Sequence, residues 1–193
     1  MPKVRDSGMP AIEQWESYFD PVGILESLGC RDLSGDAVEF GCGYGTFTIV
    51  AAQRIFGTLH ALDIDALMVE ATAARASQAG LQNVTVEQRD FVTQGCGRES
   101  HSASFVMLFN ILHIEDPVSL LAETFRVLRP GGMAAIIHWN HDLHTPRGPP
   151  LDIRPKPAQC RAWAEQAGLR WVRNQALPGS WHWGMVLEKS LAV

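Results

Sequence analysis

Short, mostly apolar runs alternate along the chain with longer segments in which apolar residues recur every three or four positions. The short runs predict β-strands and the longer segments predict amphipathic helices. Strands are expected at residues 37–40, 58–62, 84–88, 103–109, 133–138, 170–176 and 181–188. Helices are expected at residues 10–28 with a break at Pro21, 46–56, 66–79, 158–167, and from 117 to a stop at 130–132. This alternation favours a parallel sheet with helices on both faces.

Local signals at the ends of these elements refine the prediction. Thr46, Asp65 and Asp116 are expected to cap helices, because their side chains can accept hydrogen bonds from the backbone amides of a first turn. The last two predicted strands are joined by residues 177–180, a connection short enough for a hairpin, so one of them must run antiparallel. The sequence therefore predicts an α/β fold, a doubly wound and mostly parallel sheet with a C-terminal antiparallel hairpin.

Composition narrows the class of protein. The chain has 193 residues, 46% of them hydrophobic, and a net charge of −5, which argues against stable nucleic-acid binding through phosphate contacts. The four cysteines form no CxxC pair, so free thiols in a reducing compartment are expected. Residues 1–20 carry charges throughout and no apolar run reaches spanning length, so we expect a cytoplasmic protein without membrane attachment.

The most informative segment is the junction of the first strand and its helix. The strand carries Glu39 and runs into glycines at every second position, Gly41, Gly43 and Gly45. Glycine permits a tight turn and lets a ligand approach the bare backbone, since no Cβ stands in the way. The first amides of the following helix are suited to an anionic group such as a carboxylate. The alternative for Glu39 is a carboxylate that only caps nearby amides.

Further polar residues stand where parallel strands end, at the edge of the sheet where ligands bind. Asp63 closes the second strand, and a carboxylate there can accept hydrogen bonds from both hydroxyls of a ribose. Its alternative role as a helix cap is already filled by Asp65. Asp90 follows the third strand, and a solvated turn acid beside a core Phe91 is the alternative to a binding role.

Five motifs follow one another in a fixed order: Glu39-Phe40-Gly41-Cys42-Gly43-Tyr44-Gly45, Asp63-Ile64-Asp65, Asp90-Phe91, Asn110-Ile111-Leu112-His113 and Leu128-Arg129-Pro130-Gly131-Gly132. In this order and spacing the chain resembles the class I S-adenosylmethionine-dependent methyltransferases over roughly residues 9–189. The resemblance implies a Rossmann-like, seven-stranded sheet in one methyltransferase domain, residues 1–193. An N-terminal helical cap is expected at 1–30 and the core at 37–189.

The resemblance also implies S-adenosylmethionine as cofactor and S-adenosylhomocysteine as product. It carries the cofactor-binding role over to Glu39, Gly41, Gly43, Gly45, Asp63, Ile64, Asp90, Phe91 and Asn110. Within this set, Glu39 and Asn110 would serve the methionine end and Ile64 and Phe91 would pack on the adenine. Asp90 would accept the hydrogen of the adenine amino group.

Two histidines are the candidates for catalysis. His113 lies just past the fourth strand and is the preferred general base, because imidazole titrates near neutral pH. Its alternative is a histidine that only bonds a neighbouring loop. His138 ends the fifth strand and is expected to contact substrate. Together with His141 and His144 it falls on no common face of a strand or helix, so no metal site is predicted.

Two segments near the expected mouth of the site have open roles. The N-terminal segment with Trp15 and Tyr18 is either a lid over the cofactor or a helix packed on the sheet edge. The proline-rich loop after the fifth strand carries Arg147 and Arg154, which either line an acceptor pocket or are solvated.

The predicted function is methyl transfer from S-adenosylmethionine to a small molecule. One alternative is a non-catalytic module that binds S-adenosylmethionine. A nicotinamide-dependent oxidoreductase is a weaker alternative, because its Gly-x-Gly-x-x-Gly turn would place the third glycine one residue later than Gly45.

Overall fold

The computed structural model describes residues 9–179 and 181–191. The first eight residues of the predicted cap, Ser180 of the predicted hairpin turn and the last two residues lie outside this range. The strands are β1 Asp36–Phe40, β2 Leu59–Asp63, β3 Val84–Gln88, β4 Ala103–Phe109, β5 Leu128–Trp139, β6 Arg170–Gln175 and β7 His182–Glu188. The helices are α1 Ile12–Glu16, α2 Pro21–Ser27, α3 Thr46–Ala52, α4 Ala66–Gln78, α5 Phe91–Gln94, α6 Pro117–Val127 and α7 Pro157–Gln166, with a 3-10 turn at Leu151–Ile153.

The strands form one seven-stranded sheet in the order β3-β2-β1-β4-β5-β7-β6. Strands β1 to β5 are parallel, and β7 runs antiparallel to both β5 and β6. The predicted mostly parallel sheet with a terminal antiparallel hairpin is therefore confirmed. The direction of strand succession reverses between β1 and β4, and this switch point opens a crevice beyond the carboxyl ends of the two strands.

Both faces of the sheet are buried, as the apolar runs predict. Every residue of β4 is buried, and its side chains alternate between two hydrophobic clusters. Val106 and Leu108 join the cluster that includes α6 and α7, whereas Phe105 and Met107 join the cluster that includes α2 and α3. A strand buried on both sides has no polar face, which is why β4 reads as a continuous apolar run.

Three details of the sequence prediction were wrong. Thr46 does not cap α3; it is the first helical residue, and Gly45, with φ of 76°, is the cap. No helix was expected at residues 91–94, but Phe91–Gln94 form α5, capped by the Asp90 carboxylate. Strand β5 starts five positions early, at Leu128, because Gly131 and Gly132 exchange backbone hydrogen bonds with Lys189 and continue the pairing through the predicted stop.

The predicted caps at Asp65 and Asp116 are confirmed, since each carboxylate accepts a bond from a first-turn amide, that of Leu67 and that of Ser119, at 3.0 Å. Over residues 9–179 and 181–191, the structure has no helix that combines the length and apolar character needed to cross a membrane.

Candidate active site

The loop between β1 and α3 is held against the end of β2 by its own backbone. The amides of Gly41 and Cys42 both donate to the Leu62 carbonyl, at 2.8 and 3.0 Å, and the Gly43 amide donates to Asp63 Oδ2 at 2.9 Å. Gly43 has φ of 53°, a region that favours glycine. A Cβ built on it would lie 3.2 Å from the methyl carbon of Met9, so the loop and the N-terminal segment are in close contact.

Asp63 joins the glycine loop to the start of α4. Its second oxygen accepts the Asp65 amide at 2.9 Å, so each oxygen of the carboxylate has one backbone donor. Burial raises the pKa of Asp63, and hydrogen bonds from the backbone amides of Asp65, Gly43 and Ile64 oppose that rise. A carboxylate oxygen accepts more than one hydrogen bond, so Asp63 retains capacity for hydroxyl donors of a ligand.

Glu39 is a buried acid at the centre of the crevice, 2% exposed. Burial raises its pKa to about 8, the negative charge of Asp63 adds to the rise, and a hydrogen bond from Thr48 Oγ1 at 2.5 Å opposes it. At neutral pH the carboxyl group therefore holds its proton. A cation placed beside it would favour the ionised form.

Unpartnered polar atoms face the same crevice. Both side-chain atoms of Asn110, the amide oxygen and nitrogen, are buried without a hydrogen-bond partner, as is Thr46 Oγ1. Asn110 has φ of 56°, and its backbone amide is fixed to the Ile137 carbonyl at 2.8 Å. Buried polar side chains are almost always satisfied, so these atoms indicate a polar ligand. The amino acid and ribose of S-adenosylmethionine fit this donor and acceptor set.

Most of the predicted site residues line one cavity at the carboxyl ends of β1, β2 and β4. Those that do are Glu39, Gly41, Gly43, Asp63, Ile64, Phe91, Asn110 and His113. Gly45, Asp90 and His138 are not among its lining residues. Gly45 caps α3 against Thr72, Asp90 caps α5, and His138 is fully buried behind His113.

The far side of the cavity is apolar and aromatic. Trp15, Trp139 and Pro149 line it together with Arg147. Sequence reasoning missed Trp139, although its position is informative, because it is the last residue of β5 and so ends at the same sheet edge. The arrangement places a polar crevice beside an aromatic chamber.

Two histidines sit where the crevice meets the aromatic chamber. His113 Nδ1 lies 3.3 Å from His138 Nε2, and His138 Nδ1 lies 3.4 Å from the Trp139 carbonyl oxygen. Burial lowers the pKa of His138 well below its ordinary value, and the neighbouring His113, His182 and Arg154 lower it further against a hydrogen bond to the Trp139 carbonyl. His138 is therefore a neutral imidazole.

Arg154 was expected either to line the acceptor pocket or to be solvated, and it does neither. It is 7% exposed, and its guanidinium donates to four backbone carbonyls of the loop after β5. Nε reaches Pro149 at 2.7 Å, and the terminal nitrogens reach Asn140, Leu143 and Arg147 at 2.8 to 3.3 Å. Arg154 thus folds this loop so that Arg147 and Pro149 become cavity wall.

The N-terminal segment lies beside the cavity and packs on the sheet. Trp15 and Tyr18 contact the Trp139 ring, with centroids 6.5 and 5.4 Å apart. On the other side, Arg75 Nη2 of α4 bonds Glu16 Oε1 at 2.6 Å. The segment therefore packs on Trp139 and α4 beside the cavity, and its role as a lid stays a prediction.

The cysteines and acids form no further site. Within the described ranges, the four cysteines are free and buried, and no group of three His, Cys, Asp or Glu side chains could hold a metal ion.

The chain is similar to known methyltransferases in sequence. The family described as "Methyltransferase domain" matches residues 37–132. Aklanonic acid methyltransferase DauC of Streptomyces sp. (strain C5) is 30% identical over 137 residues, which cover 65% of this chain and 61% of that protein. The ubiquinone biosynthesis O-methyltransferase of Pseudomonas fluorescens is 29% identical, covering 80% of this chain and 75% of that protein. The chain thus spans about three fifths of the length of the first relative.

The fold has solved counterparts as well. The crystal structure of a SAM-dependent methyltransferase from Aquifex aeolicus superposes with a TM-score of 0.79 at 23% identity, covering 91% of this chain and 92% of that one.

Proposed function

We propose that this chain, which belongs to the class I S-adenosylmethionine-dependent methyltransferase family, transfers a methyl group from S-adenosylmethionine to an oxygen atom of a small, planar molecule. One observation carries the proposal. A single cavity joins the glycine loop and the unpartnered Asn110 and Thr46 side chains to His113 and two tryptophans. Such a cavity suits a polar cofactor on one side and an apolar acceptor on the other.

Each part of the cofactor has residues suited to it. Asp63 would accept the ribose hydroxyls, and Ile64 and Phe91 would pack on the adenine. Asn110 and Glu39 would serve the amino-acid end. S-adenosylmethionine supplies an electrophilic methyl group on a positively charged sulfur, which is left as a neutral thioether. The adenine role of Asp90, which caps α5 next to Phe91, stays a prediction.

The acceptor would lie in the aromatic chamber. Trp15 and Trp139 offer flat apolar surfaces for a planar molecule, and Arg147 gives the chamber a positive side. His113 would take the proton of the acceptor hydroxyl as the oxygen becomes methylated. One relative is a ubiquinone biosynthesis O-methyltransferase, which supports an oxygen acceptor, and the other is an aklanonic acid methyltransferase, which supports a small-molecule acceptor.

Protein side chains also exclude water from the reaction. Methyl transfer from a sulfonium needs an in-line approach, so positioning and a dry site supply much of the rate. The N-terminal segment provides the cover, since Met9 lies on the glycine loop and the Tyr44 hydroxyl donates to the Pro10 carbonyl at 2.8 Å. We also propose that the N-terminal cap and the methyltransferase core act as one domain.

The cellular setting belongs to the same proposal. Four buried free cysteines support a reducing compartment, and therefore the cytoplasm. The net charge of −5 supports small molecules over nucleic acids as partners.

Calorimetry and a turnover screen test the function. Purified protein should bind S-adenosylhomocysteine. It should also convert S-adenosylmethionine to S-adenosylhomocysteine when phenols or aromatic carboxylic acids are present as methyl acceptors. NAD serves as the ligand control. Failure to bind either adenosyl compound would refute the proposal, and tight binding with no turnover across the panel would favour the non-catalytic module instead.

A further inference from the structure

One guanidinium group joins the glycine loop to the N-terminal segment, residues 9–19. Arg75 Nη1 donates to the Tyr44 carbonyl at 2.8 Å, and Arg75 Nη2 donates to Glu16 Oε1 at 2.6 Å. A guanidinium presents its N–H groups in a fixed planar fork, so one side chain holds two acceptors in a defined relative position. From α4, Arg75 therefore sets the position of the segment relative to the loop.

Tyr44 makes a second link between the same two parts of the chain. Its hydroxyl donates to the Pro10 carbonyl at 2.8 Å, while its own carbonyl accepts from Arg75. The segment is thus tied to the glycine loop near its start and again at α1. Met9 and Trp15, which lie in the tied part, both line the cavity. Moving this part of the segment would therefore open the cavity wall.

A second side chain of α4 holds the glycine loop in a different way. Thr72, three residues before Arg75, is fully buried, and its hydroxyl donates to the Gly43 carbonyl at 2.7 Å. A hydroxyl has a single hydrogen, so this bond leaves no donor for the segment. Two neighbouring carbonyls of the loop are therefore bound from one helix, and the guanidinium extends the link to the segment.

We propose that Arg75 is a positioning residue that fastens the N-terminal segment over the glycine loop, so that the cofactor enters and leaves only after the ties of Arg75 open. The ties join parts of the chain and use no atom of the cofactor, so they must open for entry as well as for exit. Breaking them raises the fraction of open molecules, and the association and dissociation rate constants rise by the same factor. Their ratio, the Kd, changes little. The inference rests on the proposed function, because it needs the cofactor at the glycine loop.

Stopped-flow binding of S-adenosylhomocysteine measures the two rate constants separately. Arg75→Met removes both ties and keeps most of the aliphatic stem. The Arg75 and Glu16 side chains are 30% and 40% exposed, so each tie is a modest one. Both rate constants should rise by about five- to tenfold while the Kd stays within about twofold. A raised Kd with an unchanged association rate constant would make Arg75 a support of the loop alone and would overturn the proposal.

Thr72→Val is the matched control on the same helix. It removes the bond to the Gly43 carbonyl, so it loosens the loop while the segment stays fastened. We expect a raised Kd that comes from faster dissociation, with the association rate constant unchanged. Equal acceleration of both rate constants in this variant would show that the loop, and not the tie of Arg75 to the segment, limits entry, which contradicts the proposal.

Hydrogen–deuterium exchange gives a readout that needs no cofactor. Backbone amides of residues 11–19 should exchange faster in Arg75→Met than in the wild-type protein, and at the wild-type rate in Thr72→Val. Arg75→Lys keeps the charge but lacks the fork, so exchange and both rate constants should lie between those of the wild type and Arg75→Met. Wild-type exchange in Arg75→Met would overturn the proposal.

The two proposals fail in different ways. If the wild-type protein does not bind S-adenosylhomocysteine, the proposed function fails, and the exchange of the segment still reports whether Arg75 fastens it. If Arg75→Met does not fold, Glu16→Gln decides, because it weakens the tie to the segment and leaves the bond to Tyr44. Both rate constants should then rise about twofold, and a rise in dissociation alone would overturn the proposal.

Discussion

The cavity has two halves that are built in different ways. The cofactor half, at the ends of β1 and β2, takes its groups from short motifs and fixes them with local backbone bonds, as Asp63 does with Gly43 and Asp65. The acceptor half, at the ends of β4 and β5, takes its groups from positions far apart in the chain. There His113 meets His138, and Arg154 holds a loop by its carbonyls. The cofactor half is therefore formed by short sequence motifs, and the acceptor half is formed by tertiary packing.

The two halves of the cavity also differ in whether their buried polar groups have partners within the protein. In the cofactor half, burial raises the pKa of Glu39 to about 8, and the amide of Asn110 has no partner. These groups are incomplete without a ligand. In the acceptor half the His113 and His138 imidazoles contact each other and the Arg154 guanidinium bonds the backbone, whereas Nε2 of the buried His182 has no partner among the described residues. We conclude that the first half is shaped for binding and the second for keeping a side chain in one state.

The sharpest test of the binding half is Asp63→Ala. Two lost hydrogen bonds to a charged acceptor, at about 2 kcal/mol each, correspond to roughly a 1000-fold loss of S-adenosylhomocysteine affinity. Calorimetry measures this. Asp90→Ala is the matched control, because Asp90 is likewise an acid that follows a strand but it does not line the cavity, and it should lose far less. Equal losses would mean that the adenine end, and not Asp63, dominates binding.

His113→Gln tests the other half. Glutamine keeps a polar side chain but cannot take a proton, so kcat should fall by about 100-fold or more while S-adenosylhomocysteine affinity stays within twofold. Steady-state kinetics and calorimetry on the same preparation separate the two quantities. A loss of cofactor affinity as large as the loss of kcat would contradict the division into halves.

This division explains what the sequence could predict. The similarity to the methyltransferase family and the seven-stranded sheet are confirmed, because the glycine loop and the acids at strand ends are local signals. The sequence analysis missed Trp139 and the burial of Arg154. An arginine in a predicted loop is expected to be solvated, and only the folded chain places four backbone carbonyls around the Arg154 guanidinium. His138 was expected at the substrate because it ends the predicted fifth strand, but it is fully buried between its strand partner Trp183 and the His113 ring.

A pH titration sharpens the comparison at Glu39. Below its ordinary pKa of 4.5 both the folded and the unfolded chain hold the proton. Between 4.5 and about 8 only the folded chain keeps it, so stability of the ligand-free protein falls as pH rises, by up to about 1.4 kcal/mol per unit. Glu39→Gln should be more stable than wild type at pH 7.5 in thermal unfolding.

Cofactor binding should run in the opposite direction with pH. The ammonium of the ligand favours ionised Glu39, so affinity should rise between pH 6 and 8, up to about tenfold per unit, with release of a proton. Calorimetry in buffers of different ionisation enthalpy detects that proton. Glu39→Gln should bind weakly and release none; a wild-type affinity independent of pH would contradict the raised pKa.

The smallest effect concerns the N-terminal segment, which touches both halves. Glu16→Gln breaks the half-exposed ion pair with Arg75 of α4, worth about 0.5 kcal/mol, so cofactor dissociation should quicken roughly twofold. Tyr18→Leu instead removes a ring contact with Trp139 and should raise the KM for the acceptor with less effect on cofactor dissociation. Stopped-flow and steady-state kinetics compare the two. If both variants changed only the cofactor dissociation rate or only the KM for the acceptor, the N-terminal segment would act on the whole cavity at once. The division of the cavity into two halves would then not extend to this segment.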